Sequence, residues 1–321
     1  MRRAALALAL LSLVIVVFGP RVQLRSDAPR ARPGPLPATL AELDAKVRTS
    51  SVGSGDVVPG TEARIVWREA VTKTATAVVY VHGFSASRQE LAPLAERVAD
   101  ALDANLYEAR LAGHGRPGEA LARATAEDWL RDVREALEIG AALGERVVLL
   151  AGSTGASLAA VTAVEDRPEL AAIVFISPNF GPQAGASELL LWPWARVWVP
   201  WVAGERRTWE AESEAEAEYW TTSYPIEALF PMMASVEAAR SLDPSTTETP
   251  LLVLYHPEDP VVSPGATRTF FEGWGGRPKQ MSAVSGPGDA HVLAGDIKAP
   301  ARTEDLTHEI VSFVRQAKAA P

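Results

Sequence analysis

The stretch V-V-L-L-A-G-S-T-G-A-S-L-A-A, residues 147–160, decides how this chain folds. It begins as an apolar, β-branched run, narrows to small residues around Ser153 and continues as an Ala-rich pattern that favours a helix. A serine on such a tight strand-to-helix turn presents its hydroxyl to a substrate, and the N–H groups that begin the helix face developing negative charge. The stretch therefore predicts a nucleophilic Ser153 between a buried strand and a helix.

The usual signature of this turn is G-x-S-x-G, and the chain keeps only the second glycine. Ala151 stands in the first place and Gly155 in the second. Two other interpretations stay open at this point. Ser153 could be only the N-cap of a helix, and Ser157 lies in an overlapping G-A-S-L-A. We favour Ser153, because Ser157 falls about one turn into the helical pattern.

Two further strands are expected to bring partners to Ser153. P-L-L-V-L-Y-H-P-E-D-P-V-V-S-P, residues 250–264, is an apolar run whose end carries Asp259. Q-M-S-A-V-S-G-P-G-D-A-H-V-L-A-G-D, residues 280–296, is a short strand followed by a Gly/Pro loop with His291. The resulting order of serine, aspartate and histidine, each after a strand, is the order that α/β-hydrolases require.

An upstream strand is expected to end beside the same site. T-A-V-V-Y-V-H-G-F-S-A-S-R, residues 76–88, is a β-branched run that ends in His82-Gly83-Phe84. A loop amide at this place could point at the oxyanion that forms on the substrate. The run therefore supplies a candidate for one half of an oxyanion hole.

Taken together, these segments resemble the α/β-hydrolase superfamily, and within it the monoacylglycerol lipase and carboxylesterase branches. The resemblance covers about residues 62–180 and 246–318. Several motifs in the right order are more specific than any one of them. The motifs are V-H-G-F, L-A-G-H-G-R (111–116), T-A-E-D-W-L-R-D-V (125–133), G-S-T-G, H-P-E-D-P-V-V-S-P and D-A-H-V-L.

The resemblance implies a role for five residues. Ser153 would be the nucleophile, His291 the general base and Asp259 the acid that orients the base. The amides of Phe84 and Thr154 would form the oxyanion hole. No cofactor is implied by this chemistry.

The sequence offers other candidates for the acid and for the base. Glu258 is adjacent to Asp259, and Asp289 lies two residues before His291. Asp259 is favoured because it holds the family's position before V-V. The remaining histidines are expected to be structural: His82 in the oxyanion loop, His114 near the pocket rim, His256 at a strand exit and His308 in a C-terminal helix.

An insertion at roughly 181–245 separates the two halves of the expected core. It opens with L-L-L-W-P-W-A-R-V-W-V-P-W-V, which groups Trp192, Trp194, Trp198 and Trp201. We interpret it as a helical, Trp-rich lid in which Trp194 and Trp198 bind an apolar acyl group. The tryptophans could instead pack the insertion onto the core or touch a bilayer. The acidic helix expected at 210–218 argues against contact with an anionic membrane.

The N-terminus, residues 1–38, is a separate piece. M-R-R followed by an apolar run at 4–18 has the form of an export signal or an uncleaved membrane anchor, and a basic, Pro-rich linker to Pro37 follows. With Arg2 and Arg3 inside, the catalytic domain would lie outside the cytoplasm. A lipoprotein anchor is excluded because the chain has no cysteine. We therefore expect a membrane-anchored or exported protein.

Composition narrows the function classes. The 321 residues are 47% hydrophobic, enough to bury one full core. The net charge of −9 argues against nucleic acid as a partner. Without cysteine there is no thiolate metal site, and no H-E-x-x-H or similar spacing predicts a metal. The glycines of S-V-G-S-G-D-V-V-P-G (51–60) follow no strand, so they predict a loop and not a dinucleotide cradle.

The predicted fold is α/β, an α/β-hydrolase with a mostly parallel central sheet and helices on both faces. The core comprises residues 39–180 and 246–321, on either side of the insertion. Thr125 and Asp128 form an expected capping box, and 210–218 and the C-terminal T-E-D-L-T-H-E-I-V-S-F-V-R-Q-A-K are expected helices. Strands are predicted near 63–68, 76–82, 105–110, 146–151, 172–177, 250–255 and 279–284.

These features predict a serine hydrolase that cleaves small-molecule or lipid carboxylic esters through an acyl-enzyme on Ser153. The acyl group is expected to be apolar and of short to medium length. The same triad could serve thioester hydrolysis, acyl transfer or C–C bond hydrolysis. A non-catalytic, anchored protein that keeps the fold is the alternative from another class.

Overall fold

The computed structural model describes residues 18–52, 55–165 and 167–319. Most of its strands join one seven-stranded sheet, and β6 and β7 form a separate antiparallel pair. The strands are β1 (Arg64–Val66), β2 (Thr74–Val81), β3 (Asn105–Glu108), β4 (Gly144–Gly152), β5 (Leu170–Ile176), β6 (Arg206–Thr208), β7 (Ser223–Pro225), β8 (Leu251–Tyr255) and β9 (Lys279–Ala283). The large sheet has the order β1-β3-β2-β4-β5-β8-β9 and is parallel except for β1.

Helices follow most of the strands of the large sheet, as α/β folds require. They are α1 (Leu40–Val52), α2 (Leu94–Ala101), α3 (Gly118–Arg123), α4 (Ala126–Leu143), α5 (Ser153–Ala163), α6 (Ala195–Ala203), α7 (Glu214–Tyr219), α8 (Leu229–Arg240), α9 (Pro264–Gly273) and α10 (Thr303–Ala319). The predicted fold class is confirmed. Each predicted strand overlaps an observed strand of the large sheet.

The central strands are apolar runs because they are covered on both faces. Along β4, Val147 and Leu149 point into one buried cluster, whereas Val148 and Leu150 point into a second. Parallel sheets are normally buried in this way, and their strands lack a polar face. The sheet therefore separates two hydrophobic cores, and its strands end at one shared edge.

Helix α4 begins with the capping box that the sequence predicts. The Asp128 N–H donates to Thr125 Oγ1 at 3.2 Å, and the Thr125 N–H donates to Asp128 Oδ2 at 3.0 Å. Arg30 also binds the Asp128 carboxylate, with both contacts at 2.7 Å. The start of α4 is thus fixed by its own cap and by the N-terminal segment.

The N-terminal segment packs along α4 where the sequence suggests a linker. Besides the Arg30 contact, the Arg134 guanidinium donates to the carbonyls of Ser26 and Ala31 at 2.9 and 2.8 Å. The apolar run at 4–18 lies outside the described residues except for Phe18. Within the described ranges, no helix has the length and apolar character needed to cross a bilayer.

The insertion at 181–245 is mixed in structure. It contains the helices α6, α7 and α8. It also contains the antiparallel strand pair β6–β7, which the sequence did not predict. The acidic helix α7 begins at Glu214, four residues later than expected, because Ser213 caps it through the Glu216 N–H. Helix α8 buries Phe230, Met233 and Val236 in the core.

We expect Thr125→Ala to lower the free energy of unfolding by about 1 kcal/mol, because the Asp128 N–H at the helix start loses its acceptor. Urea denaturation followed by circular dichroism measures this change. Thr269→Ala, in the exposed middle of α9, removes the same hydroxyl away from a cap and is the matched control. Equal losses in the two variants would contradict the role of the cap.

Candidate active site

Ser153 stands at the sharpest turn of the site, between the end of β4 and the start of α5. Its backbone φ is +45°, in the left-handed region that non-glycine residues rarely adopt. The neighbouring Gly155 has no room for a side chain, since a Cβ there would lie 2.5 Å from the His82 carbonyl oxygen. Ala151 is fully buried in β4, so a methyl group fits where the usual signature has glycine. The helix therefore approaches β2 closely and holds the turn tight.

His291 and Asp259 lie beside Ser153. The distance from His291 Nε2 to Ser153 Oγ is 3.1 Å, and that from His291 Nδ1 to Asp259 Oδ2 is 2.8 Å. The other oxygen of Asp259 accepts the N–H groups of Val261 and Val262 at 2.8 and 3.0 Å. These two bonds fix the carboxylate against the imidazole. The structure thus brings together the three residues expected from the sequence.

The charge balance around His291 favours its protonated form. Burial alone lowers the pKa of His291, but the hydrogen bond and charge of Asp259 outweigh burial and leave that pKa raised. Glu90 and Asp289 act in the same direction. The loop that carries His291 is held by the Ser177 hydroxyl, which donates to the His291 carbonyl at 2.6 Å. An imidazolium is thus stabilised at the place where a base would receive a proton.

The alternative candidates have other contacts. The Ser157 hydroxyl is fully buried and donates to the Asn179 carbonyl. Glu258 is exposed, and its N–H donates to His256 Nδ1. Asp289 accepts the N–H of His291 at 2.7 Å, so it holds the loop and not the imidazole. None of the three takes part in the hydrogen bonds that join Ser153 to the imidazole.

Phe84 and Thr154 flank the nucleophile as expected. Thr154 is the second residue of α5, where a backbone N–H has no partner within the helix. Phe84 follows Gly83, whose backbone lies so close to Ser153 that a Cβ on it would be 3.0 Å from the Ser153 Cβ. The Phe84 ring is fixed by edge contacts with Tyr224 and His114, at centroid distances of 5.3 and 6.1 Å.

His82 and His114 are structural, as the sequence suggests. Both are fully buried, and burial lowers the pKa of His82 to about 4. The Leu111 N–H donates to His82 Nε2 at 3.2 Å, so the proton of the neutral ring lies on Nδ1. That Nδ1 lies 2.8 Å from the Gly83 carbonyl oxygen. His82 therefore braces the oxyanion loop.

A cavity of about 510 Å³ opens above Ser153. Its apolar walls come from the insertion and the core, and charged side chains also line it. The walls include Phe84, Leu190, Trp209, Trp220, Tyr224, Leu229 and Met232, and the charged groups include Arg207, Glu210, Glu212, Glu216 and Lys298. This combination suits an apolar group of moderate size next to the nucleophile.

Lys298 connects the insertion to the loop that carries His291. Its ammonium group binds Glu212 at 2.8 Å and Glu216 at 2.9 Å. It also lies 3.6 Å from Asp289, the residue that holds the His291 backbone. Two of the carboxylates that line the cavity are therefore paired with one lysine.

Trp194 and Trp198 were expected to bind the acyl group, but the structure places both of them outside the cavity. The Trp194 N–H donates to the Pro20 carbonyl at 2.9 Å, and the Trp198 indole donates to Pro193. Helix α6 buries Ala195 and Val199, and Trp198 packs against the hydrophobic core instead of lining the cavity. The aromatic wall comes instead from Trp209 and Trp220, whose only sequence signal was their place on either side of the acidic run.

No titratable cluster suited to a metal ion occurs among the described residues. A hydroxyl, an imidazole and a carboxylate in sequence can activate the hydroxyl for attack on an acyl carbon.

Comparison with known proteins agrees with this geometry. The sequence pattern described as "Serine aminopeptidase, S33" matches residues 72–296, more than half of the chain. None of the curated proteins is similar enough in sequence to count as a relative.

Solved structures share the fold. A structure reported for the metagenome-derived lipolytic enzymes LipS and LipT has a TM-score of 0.68 at 22% identity, over 81% of this chain and 99% of its own. Monoglyceride lipase from Saccharomyces cerevisiae gives 0.59 at 12% identity, over 80% of this chain and 91% of its own. Monoacylglycerol lipase from Paleococcus ferrophilus has a TM-score of 0.57 at 16% identity, over 80% of this chain and 99% of its own. The resemblance that the sequence motifs indicated is confirmed. The chain belongs to the Serine aminopeptidase, S33, family and is a serine hydrolase with the α/β-hydrolase fold.

Proposed function

We propose that this protein hydrolyses carboxylic esters through an acyl-enzyme on Ser153. The observation that carries the proposal is the unbroken line of hydrogen-bond contacts from Asp259 through His291 to Ser153, at 2.8 and 3.1 Å. Asp259 orients the imidazole, His291 acts as general base, and Ser153 is the nucleophile. The lipolytic and esterase structures that share the fold are consistent with ester substrates.

In the first half of the reaction, Ser153 Oγ bonds to the ester carbonyl carbon while its proton passes to His291 Nε2. The carbonyl π electrons move to the oxygen, and the amides of Phe84 and Thr154 stabilise that oxyanion. When the intermediate collapses, the bond to the alcohol oxygen breaks, and the leaving alcohol takes the proton from His291. The acyl group remains on Ser153.

In the second half, water replaces the alcohol. His291 accepts a proton from the water as its oxygen bonds to the acyl carbon, and the second tetrahedral intermediate uses the same two amides. Collapse breaks the bond to Ser153 Oγ, which recovers its proton from His291. The products are an alcohol and a carboxylic acid, and the enzyme returns to its starting state.

The cavity favours an apolar acyl ester over a peptide with a free amino terminus, although the family name includes aminopeptidases. Binding an ammonium group would need an unpaired carboxylate near Ser153. Glu212 and Glu216 are already bound to Lys298, and Glu90 accepts the Tyr80 hydroxyl and the Gly83 N–H. Glu210 is exposed to solvent, whereas Trp209 and Trp220 offer apolar surface. Thioester hydrolysis, acyl transfer and C–C hydrolysis would use the same triad. Measuring turnover of an ester, a thioester and a substrate with a scissile C–C bond, and of an ester with an added acyl acceptor, distinguishes these reactions from ester hydrolysis.

Ser153→Ala should lower kcat for p-nitrophenyl butyrate by at least about 10⁴-fold while the protein stays folded, because removal of a triad nucleophile costs this much. It should also abolish labelling by a fluorophosphonate probe, which reacts only with an activated serine. Ser157→Ala is the matched control and should keep both. Labelling that survives in Ser153→Ala and disappears in Ser157→Ala would move the nucleophile to Ser157, and an unlabelled wild-type protein would support the non-catalytic alternative.

The rate should rise with acyl length until the cavity is full. Each buried CH₂ is worth roughly 0.8 kcal/mol, so kcat/KM should increase about threefold to fourfold per methylene. Trp209→Ala should flatten this rise and leave acetyl esters nearly unaffected. Trp192→Ala, in the same insertion but exposed and outside the cavity, should keep the wild-type slope. An unchanged slope in Trp209→Ala would exclude this wall as the acyl site.

We further propose that the protein is held at a membrane, with its catalytic domain outside the cytoplasm, as the basic start and apolar run at 4–18 suggest. Support comes from the place where this run enters the domain. The Trp194 ring fills the space beside Gly19, and the outer side of α6 next to it is apolar. Trp201 is 88% exposed and Val202 77% exposed. These residues suit the boundary between lipid and water.

A fluorescent label distinguishes bilayer contact from packing of the N-terminal run on α6. Because the chain has no cysteine, Val202→Cys in the full chain takes one NBD label. In vesicles of phosphatidylcholine, doxyl-labelled phosphatidylcholine should quench this label. A label at Val71→Cys, also exposed but remote in sequence, should remain unquenched. No quenching at 202 in vesicle-bound protein would overturn contact between α6 and the bilayer.

A further inference from the structure

Glu90 is a buried carboxylate that the triad does not account for. It ends a short 3-10 turn, Arg88–Glu90, that follows the oxyanion loop, and only 5% of its surface is exposed. It lines the same cavity as Ser153 and His291. A buried carboxylate costs free energy unless it is well bonded, so its presence in this place calls for a physical reason.

Two donors converge on one oxygen of this carboxylate. The Tyr80 hydroxyl donates to Glu90 Oε2 at 3.0 Å, and the Gly83 N–H donates to the same atom at 2.9 Å. The other oxygen also faces Gly83, where a Cβ would lie 2.8 Å from Oε1. Gly83 thus packs closely against both Glu90 and Ser153.

Both polar groups of Gly83 are therefore fixed. Its N–H is held by Glu90, and its carbonyl oxygen accepts the Nδ1–H of the neutral His82 at 2.8 Å. Because these groups lie on either side of the Gly83 Cα, holding both restricts the φ and ψ angles of this otherwise permissive residue. The next peptide N–H is that of Phe84, the expected oxyanion donor. Its direction is set by the same two contacts.

The same carboxylate acts on His291. Burial raises the pKa of Glu90 and outweighs the Gly83 N–H, the charge of His291 and the Tyr80 hydroxyl, which lower it, so the pKa stays raised. In return, the charge of Glu90 raises the pKa of His291. The other ionisable groups that act on the imidazole are Asp259 and Asp289, and Asp289 is itself beside Lys298.

We propose that Glu90 is a positioning residue for the proposed ester hydrolysis: it aims the Phe84 amide by holding Gly83, and its charge stabilises the imidazolium of His291. The transition state forms an oxyanion and an imidazolium together. Donors that are already oriented need no reorganisation when this charge develops, which is the main source of electrostatic catalysis. Glu90 would serve the oxyanion through Gly83 and the imidazolium through space.

Two substitutions separate these roles. Glu90→Gln removes the charge but keeps the length and an acceptor for Gly83, and Glu90→Asp keeps the charge but shortens the reach. We expect Glu90→Gln to lower kcat about 10-fold or more and to move the acid limb of kcat/KM to lower pH, because a His291 with a lower pKa stays neutral further into acid. Glu90→Asp should lower kcat and leave the acid limb in place.

Titration of His291 by NMR in the free protein gives a readout that does not need turnover. The His291 pKa should fall in Glu90→Gln and stay at the wild-type value in Glu90→Asp. Glu108→Gln is the control for loss of a buried carboxylate, since Glu108 binds Arg64 and lies outside the cavity. This variant is expected to lower the free energy of unfolding without changing the acid limb of kcat/KM or the pKa of His291.

A wild-type kcat and an unchanged His291 pKa in Glu90→Gln would overturn the proposal and leave Glu90 with only a structural role, as the partner of Tyr80 and Gly83. If Glu90→Gln does not fold, Glu90→Asp decides: wild-type kcat in that variant would exclude positioning through Gly83. Absence of ester turnover in the wild-type protein, with the expected NMR shift in Glu90→Gln, would instead refute the ester substrate and retain the electrostatic link.

Discussion

The close approach of α5 to β2 is the constraint on which the site depends. Ser153 adopts a left-handed backbone at φ +45°, a conformation that costs free energy and persists only where packing imposes it. Gly155 allows that packing, because a side chain there would meet the carbonyl oxygens of Val81 and His82. The Asn179 N–H also holds the Ser153 carbonyl at 3.0 Å. The hydroxyl therefore projects from the sheet edge, where the loops of Gly83 and His291 can reach it.

The sheet and the three residues at its edge could be predicted from the sequence because their physical signals are local. Strands covered on both faces must be apolar throughout, so β4 and β8 appear as continuous runs. In parallel strands, the residues that follow these runs come to the same edge. Ser153, Asp259 and His291 each follow a run, and the resemblance to α/β-hydrolases implies a role for each of them.

The cavity wall and Glu90 could not be predicted, because their signals are tertiary. Trp194 and Trp198 lie in an apolar stretch, and apolarity alone does not tell whether a ring faces the core, the cavity or solvent. Trp194 has a φ of +61°, and this turn sets the direction of α6. Glu90 belongs to a polar segment that resembles a surface turn. Only the fold brings it beneath Gly83 and next to His291.

The Lys298 contacts also link substrate access to the base. Glu212 and Glu216 belong to the insertion, whereas Asp289 holds the backbone of His291, and one ammonium group lies within 3.6 Å of all three carboxylates. Helix α7 therefore cannot swing outward as a rigid body without breaking the ion pair between Glu216 and this lysine. Because Lys298 also lies beside Asp289, which holds the His291 N–H, an outward movement of α7 would disturb the loop that carries the imidazole, so the cavity entrance and the imidazole are mechanically coupled.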